Sequence, residues 1–179
     1  MPQDEFMKQQ YLTLRDEIRS SKSRVFFILV LGTLFIPVAA FVAKEYGNAF
    51  AAASIPFILL VLMIAFIMEQ NSIVRAGRYL KEHVEPHIDG IVTWENWLES
   101  NKKLRDTDRY FFGSFLLVLL VFYAIGSGIA IEAIATFAEM NSWFGAYNIW
   151  ISAVGYAVGG LWFLVVWLGH WRMCTRTTV

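Results

Sequence analysis

The chain has 179 residues, of which 57% are hydrophobic and 17% are charged, and its formal net charge is zero. Soluble domains ordinarily carry roughly 45–50% apolar and about 25% charged residues, so an ordinary water-facing fold is excluded. A net charge of zero removes any global attraction for nucleic acid, and the single cysteine, Cys174, excludes an internal disulfide and a cysteine-based zinc site.

Residues 1–24 are polar, yet Met7, Tyr11, Leu14, Ile18, Ser21 and Val25 recur in steps of four and three. That spacing keeps one stripe turned toward a partner helix. No proline or glycine interrupts the run between Glu5 and Gly32, which predicts one continuous helix from about Glu5 through the first apolar stretch. Its first part forms a stalk of about four turns. No short apolar region followed by a small-residue cleavage site opens the chain, so the first apolar run is read as a retained span.

Four stretches reach the roughly 20 apolar residues that a hydrocarbon layer about 30 Å thick demands. They are residues 25–43, 49–68, 110–131 and 143–168, and none contains Lys, Arg, Asp or Glu. Gly47-Asn48 makes the turn between the first two. Pro37 and Pro56 mark candidate kinks, and hence hinges of a gate.

Between spans two and three, residues 69–109 continue as helix. Ile73, Gly77, Leu80 and Val84 keep helical spacing, Pro86 weakens or kinks the run, and Asp89-Gly90 stops it. Thr93 then caps a second helix that starts at Trp94 and places Trp97, Leu98 and Leu104 on its apolar side. Thr107 or Asp108 is expected to cap the third span. The resulting hairpin is too small to hold a core of its own, so it packs on other helices or on copies of itself.

All but one of the 15 Lys and Arg residues fall in 1–24, 69–109 and the tail 169–179, the exception being Lys44. Cationic connections stay on the cytoplasmic side. The expected fold is therefore all-α and integral to a bacterial inner membrane. Four transmembrane helices are joined to an N-terminal stalk and a cytoplasmic helical hairpin, with both termini in the cytoplasm.

Catalytic equipment is not expected. The sequence has no Walker A loop, Rossmann glycines, HExxH or nucleophile elbow, and no ionisable group sits mid-span. His83 and His87 share a helix face at i and i+4, but Pro86 disturbs their geometry and no third ligand has the spacing, so a polar helix end is expected in place of a metal site. No cofactor is expected.

Arg75, Arg78 and Lys81 recur every third residue, with Arg105, Arg109, Trp94 and Trp97 able to face them. Two readings fit. Guanidinium groups beside indole faces suit an anionic, base-containing ligand. Cations and tryptophans near span ends also set topology and meet anionic lipid headgroups. On the other side, Glu132 and Glu139 either end a helix in water or form acidic rings at the mouth of an oligomer, which favour cations. Asn148, Ser152 and Tyr156 follow one side of span four and are the expected mildly polar lining. Gly155 and Gly159 make a GxxxG, and Gly128 lies in a second small-residue series, all suited to close helix packing within the chain or between copies.

Tyr11-x-x-Leu14-Arg15-x-Glu17-Ile18 before the first span, Gln70-Asn71-x-Ile73-x-Arg75-x-Gly77-x-Tyr79-Leu80, Glu85-Pro86 and Trp94-Glu95 after the second resemble a group of small bacterial multi-pass proteins without an assigned activity. This resemblance covers roughly residues 11–98. The whole plan is similar to compact membrane effectors of anti-phage defence such as the Hailong channel effector. What that similarity implies is a homo-oligomeric ion channel that depolarises the cell, controlled by a nucleotide or short DNA oligomer from a partner nucleotidyltransferase. It carries no ligand-contact residue across. The alternative is a non-conducting scaffold or sensor subunit that presents cytoplasmic helices to a partner.

Overall fold

The computed structural model describes residues 3–87, 97, 101–141 and 147–175, with all their side chains except those of 3, 4, 33, 102–105, 108, 109 and 172–175. Among them four long α-helices dominate: α1 Gln3–Glu45, α2 Ala49–Tyr79, α3 Lys102–Met140 and α4 Tyr147–Thr175. Each is long and apolar enough to cross a membrane. The stalk and the first apolar stretch form one unbroken helix, as the run free of breakers requires. Helix continues through Pro37 and through Pro56, which is fully buried.

The turn between α1 and α2 is built by two residues. Gly47 takes φ +57°, a left-handed conformation that costs a side-chain-bearing residue about 1 kcal/mol or more. Asn48 then caps α2, its Oδ1 accepting from the backbone N–H groups of Phe50 at 3.0 Å and Ala51 at 3.1 Å. Those donors have no partner within their own helix, which is why Asn is favoured there.

Four boundaries differ from the sequence expectation. At the end of α2 the regular pattern stops at Tyr79, upstream of Pro86. Leu80–Val84 forms a π-turn closed by the Glu85 N–H on the Leu80 carbonyl, and Glu85–His87 a 3-10 turn. Proline at 86 has no N–H for the carbonyl four residues back, and its ring would clash with it, so the chain changes winding one turn early. At α3, Thr107 and Asp108 are not caps: the helix already runs from Lys102. Its far end continues past Ile131 and Glu132 to Met140, because a glutamate ends an apolar run without ending a helix. Helix α4 likewise continues beyond residue 168 to Thr175, and one glycine, Gly169, costs too little to stop it. The expected stop at Asp89-Gly90, the Thr93 cap, the helix start at Trp94 and residues 143–146 of the fourth span lie outside the described residues.

The chain divides into two compact units. Unit 1 comprises Met1–Phe27 and Ile67–Ser114, and unit 2 comprises Ile28–Phe66 and Phe115–Val179. In unit 1, Ile18 of α1 clusters with Ala76, Leu80 and Val84, and Tyr11, Leu14 and Ile73 pack around them. The heptad-like stripe is thus consumed within the chain, on the extension of α2, and a copy of the protein is not needed to cover it.

In unit 2, α2 is the central helix. Of its most apolar window 39% is buried, against 11% of that in α4. Ala52, Ile55, Leu59, Met63 and Phe66 form its buried stripe at steps of three and four. In a bilayer no water is expelled between such helices, so packing and hydrogen bonds decide which faces meet.

Candidate functional site

The basic ridge expected as an anion site lies in unit 1, on the extension of α2. Arg75 is exposed, while Arg78 and Lys81 are half-buried. The Arg75 Nε donates to the Asn71 carbonyl at 3.3 Å, so this side chain leans back along its own helix. Trp97 is half-exposed. Trp94 and the side chains of Arg105 and Arg109 lie outside the described residues, so of the expected set the structure describes Arg75 and Arg78 on α2, Lys81 in the turn that follows it, and Trp97. Beside the ridge, the Tyr79 and His83 rings stack at 4.9 Å with an interplanar angle of 9°. Gln10 of α1 donates its amide N–H to the Tyr79 hydroxyl at 2.9 Å, which fixes that ring from the neighbouring helix. His87 places Nδ1 3.1 Å from the His83 carbonyl.

Where the apolar stretches of α1 and α2 begin and end, one ion pair ties the two helices. The Arg24 Nε donates to Glu69 Oε1 at 2.8 Å, one terminal nitrogen donates to Ser20 Oγ at 2.8 Å and the other to Ser21 Oγ at 2.8 Å. The guanidinium is held at all three nitrogens, and the fork geometry makes this a positioned contact. The side chains are 50% and 22% exposed, so solvent screens the attraction and the contact positions the helices more than it stabilises them. Arg24→Glu is expected to lower the detergent melting temperature, and adding Glu69→Arg should regain part of the loss. Equal melting of single and double variants would show that the pair does not tie the helices.

The residues expected to line or flank a pore fall in unit 2. Tyr156 is buried, its hydroxyl donates to the Ala53 carbonyl of α2 at 2.9 Å, and its own carbonyl accepts from the Tyr123 hydroxyl of α3 at 2.6 Å. It is a strut joining three helices. The bond lands next to Ala52, whose carbonyl lacks its usual donor because Pro56 has no N–H. Asn148 and Ser152, on the same helix, are half-buried. Glu132 and Glu139 are both exposed, and their seven-residue separation puts them on one face of α3.

The glycines divide. A side chain at Gly159 would meet the Tyr123 hydroxyl at 3.0 Å and Leu60 at 3.1 Å, and one at Gly160 would meet the Tyr123 ring at 3.1 Å. Gly155 and Gly128 have nothing within 4 Å. Among the described residues, the second glycine of the GxxxG is packed inside the chain and the first is not.

No protein family, curated protein or solved structure matches the chain. The functional reading therefore rests on the residues themselves. Sequence reasoning passed over the Arg24–Glu69 pair and the Tyr79–His83 stack. A signal for the first was present: Arg24 and Glu69 are almost equidistant from the Gly47-Asn48 turn, and equal numbers of residues at 1.5 Å rise bring them to one level. For the second, the four-residue spacing put both rings on one face.

Proposed function

We propose that the chain is a multi-pass protein of a bacterial inner membrane with both termini in the cytoplasm, assembling as a homo-oligomeric channel or permeabilising effector. An anionic cytoplasmic ligand, a nucleotide or short oligonucleotide, binds the basic ridge and shifts the balance between closed and open states. The consequence is depolarisation of the membrane, and anti-phage defence is the setting that the overall plan favours. No catalytic step is part of this reading.

The observation that carries it is the continuity of α1 and α2, each an unbroken rod from an apolar stretch into unit 1. The Arg24–Glu69 pair and the Ile18 cluster join the rods there. A ligand drawing on Arg75, Arg78 and Lys81 binds the unit that holds these contacts, and it moves the equilibrium by its differential affinity for the two states. The cationic bias of residues 1–24, 69–109 and 169–179 supports the orientation.

A second reading, a non-conducting scaffold or sensor subunit, draws support from Tyr156. A residue suited to a polar lining has its hydroxyl engaged inside the chain.

Purified protein in planar bilayers distinguishes the two. The channel reading expects unitary currents, weaker cation preference in Glu132→Gln or Glu139→Gln, and loss of nucleotide response when Arg75, Arg78 and Arg105 are replaced by Glu. Silent bilayers from folded protein would leave the scaffold.

A further inference from the structure

The exposed side of α1 in unit 1 carries a second ordered set of cations. At 3.6 residues per turn, Lys8, Arg15, Arg19 and Lys22 fall within an arc of about 60°, roughly a quarter turn from the buried stripe of Ile18, Ser21 and Val25. Lys8, Arg19 and Lys22 are exposed, and Arg15 is half-buried. The Arg15 Nε donates to the Tyr11 hydroxyl at 3.2 Å and its guanidinium lies 5.3 Å from the centre of that ring, which fixes the side chain along the row. The acidic residues Asp16 and Glu17 fall outside the arc. Leu12, 63% exposed, borders the row between Lys8 and Arg15.

Four features select among anionic partners. Lys8, Arg15 and Lys22 are spaced by seven residues, the interval at which flanking charges on one helix stay level with those on another. The row is about 21 Å long, whereas a headgroup layer extends only about 5–8 Å beyond the hydrocarbon, so lipid does not match its length. Single-stranded nucleic acid draws on exposed rings for stacking, and the ring bordering this row, Tyr11, packs on the Ile18 cluster with Arg15 over it. An apolar residue beside the cations adds a contact that phosphates do not use.

We infer that this edge of α1 docks an acidic amphipathic helix of a partner protein, with carboxylates at seven-residue intervals facing Lys8, Arg15 and Lys22 and an apolar side chain covering Leu12. The inference is independent of the channel reading, because it requires neither conduction nor the ridge on α2.

The test uses the full chain in neutral-lipid nanodiscs and a fluorescent three-heptad peptide with Glu at the complementary positions and one Leu stripe. Saturable binding is expected, about tenfold or more weaker in Lys8→Glu/Arg19→Glu/Lys22→Glu and measurably weaker in Arg19→Glu alone. Replacing Glu by Lys in the peptide should restore binding to the triple variant. A scrambled peptide of the same composition binding equally well would overturn the proposal, as would affinity unchanged by either variant. Oligothymidylate binding in place of the peptide, and lost in the triple variant, would assign the row to nucleic acid and overturn it too.

Discussion

Gly160→Val is expected to destabilise the bundle by about 1–3 kcal/mol, whereas Gly155→Val should leave it within about 0.5 kcal/mol. Both substitutions add the same branched side chain to α4, so intrinsic helix propensity cancels in the comparison. The difference is in what the new atoms meet. At Gly160 a Cβ already sits 3.1 Å from the Tyr123 ring, and the remaining methyl groups have no room. Tyr123 cannot swing aside cheaply, since its hydroxyl is bonded to the Tyr156 carbonyl at 2.6 Å. At Gly155 nothing lies within 4 Å. Denaturant titration of the detergent-solubilised protein, followed by tryptophan fluorescence, measures both. Equal losses would contradict the packing of α3 on α4 described above. Gly155→Val carries added information. If it leaves the titration unchanged but lowers the mass of the native complex, the open glycine faces another copy.

A second large effect is expected at Leu80. This side chain is wholly buried among Ile18, Ala76 and Val84, at the start of the π-turn. Leu80→Ala should cost about 2–5 kcal/mol, the lost transfer energy plus the cavity left behind. Leu12→Ala on the neighbouring helix, where the side chain is 63% exposed, should cost no more than about 0.5 kcal/mol. Hydrogen exchange locates the damage. Amides of residues 5–20 and 73–84 should lose protection in Leu80→Ala, and those of unit 2 should keep theirs. Uniform loss across both units, or none, would count against the Ile18 cluster as a separate packing centre. On the proposed function the same variant also loses the link between ligand and current, because the rods are no longer held together where the ligand binds.

Helix boundaries show where local sequence signals fail. Thr107 and Asp108 have good capping chemistry, worth about 1 kcal/mol, yet they lie inside α3 because several helix-forming residues precede them. Glu132 ends the apolar run, but hydropathy reports what surrounds a residue and hydrogen bonding decides whether it is helical. The two need not change at the same position. The Gly47-Asn48 turn was legible because both residues do something that few others can: one adopts positive φ and the other caps with its side chain. The α2 half of the basic ridge was legible from its three-residue repeat. Its occupancy was not, because partners such as Asn71 are backbone groups that no side-chain pattern reveals.

What the amino-acid order determined alone is the set of four apolar helices, the unbroken α1 and the uneven placement of cations. Each of these is a sum of per-residue transfer and propensity terms that need no knowledge of neighbours. Tertiary structure decided which faces meet: the heptad stripe on the extension of α2, Tyr156 as a strut, and Gly159 packed while Gly155 stays open. Those outcomes depend on how each helix is rotated about its axis relative to the next. Spacing along one chain places residues on a common face but does not say what that face will touch.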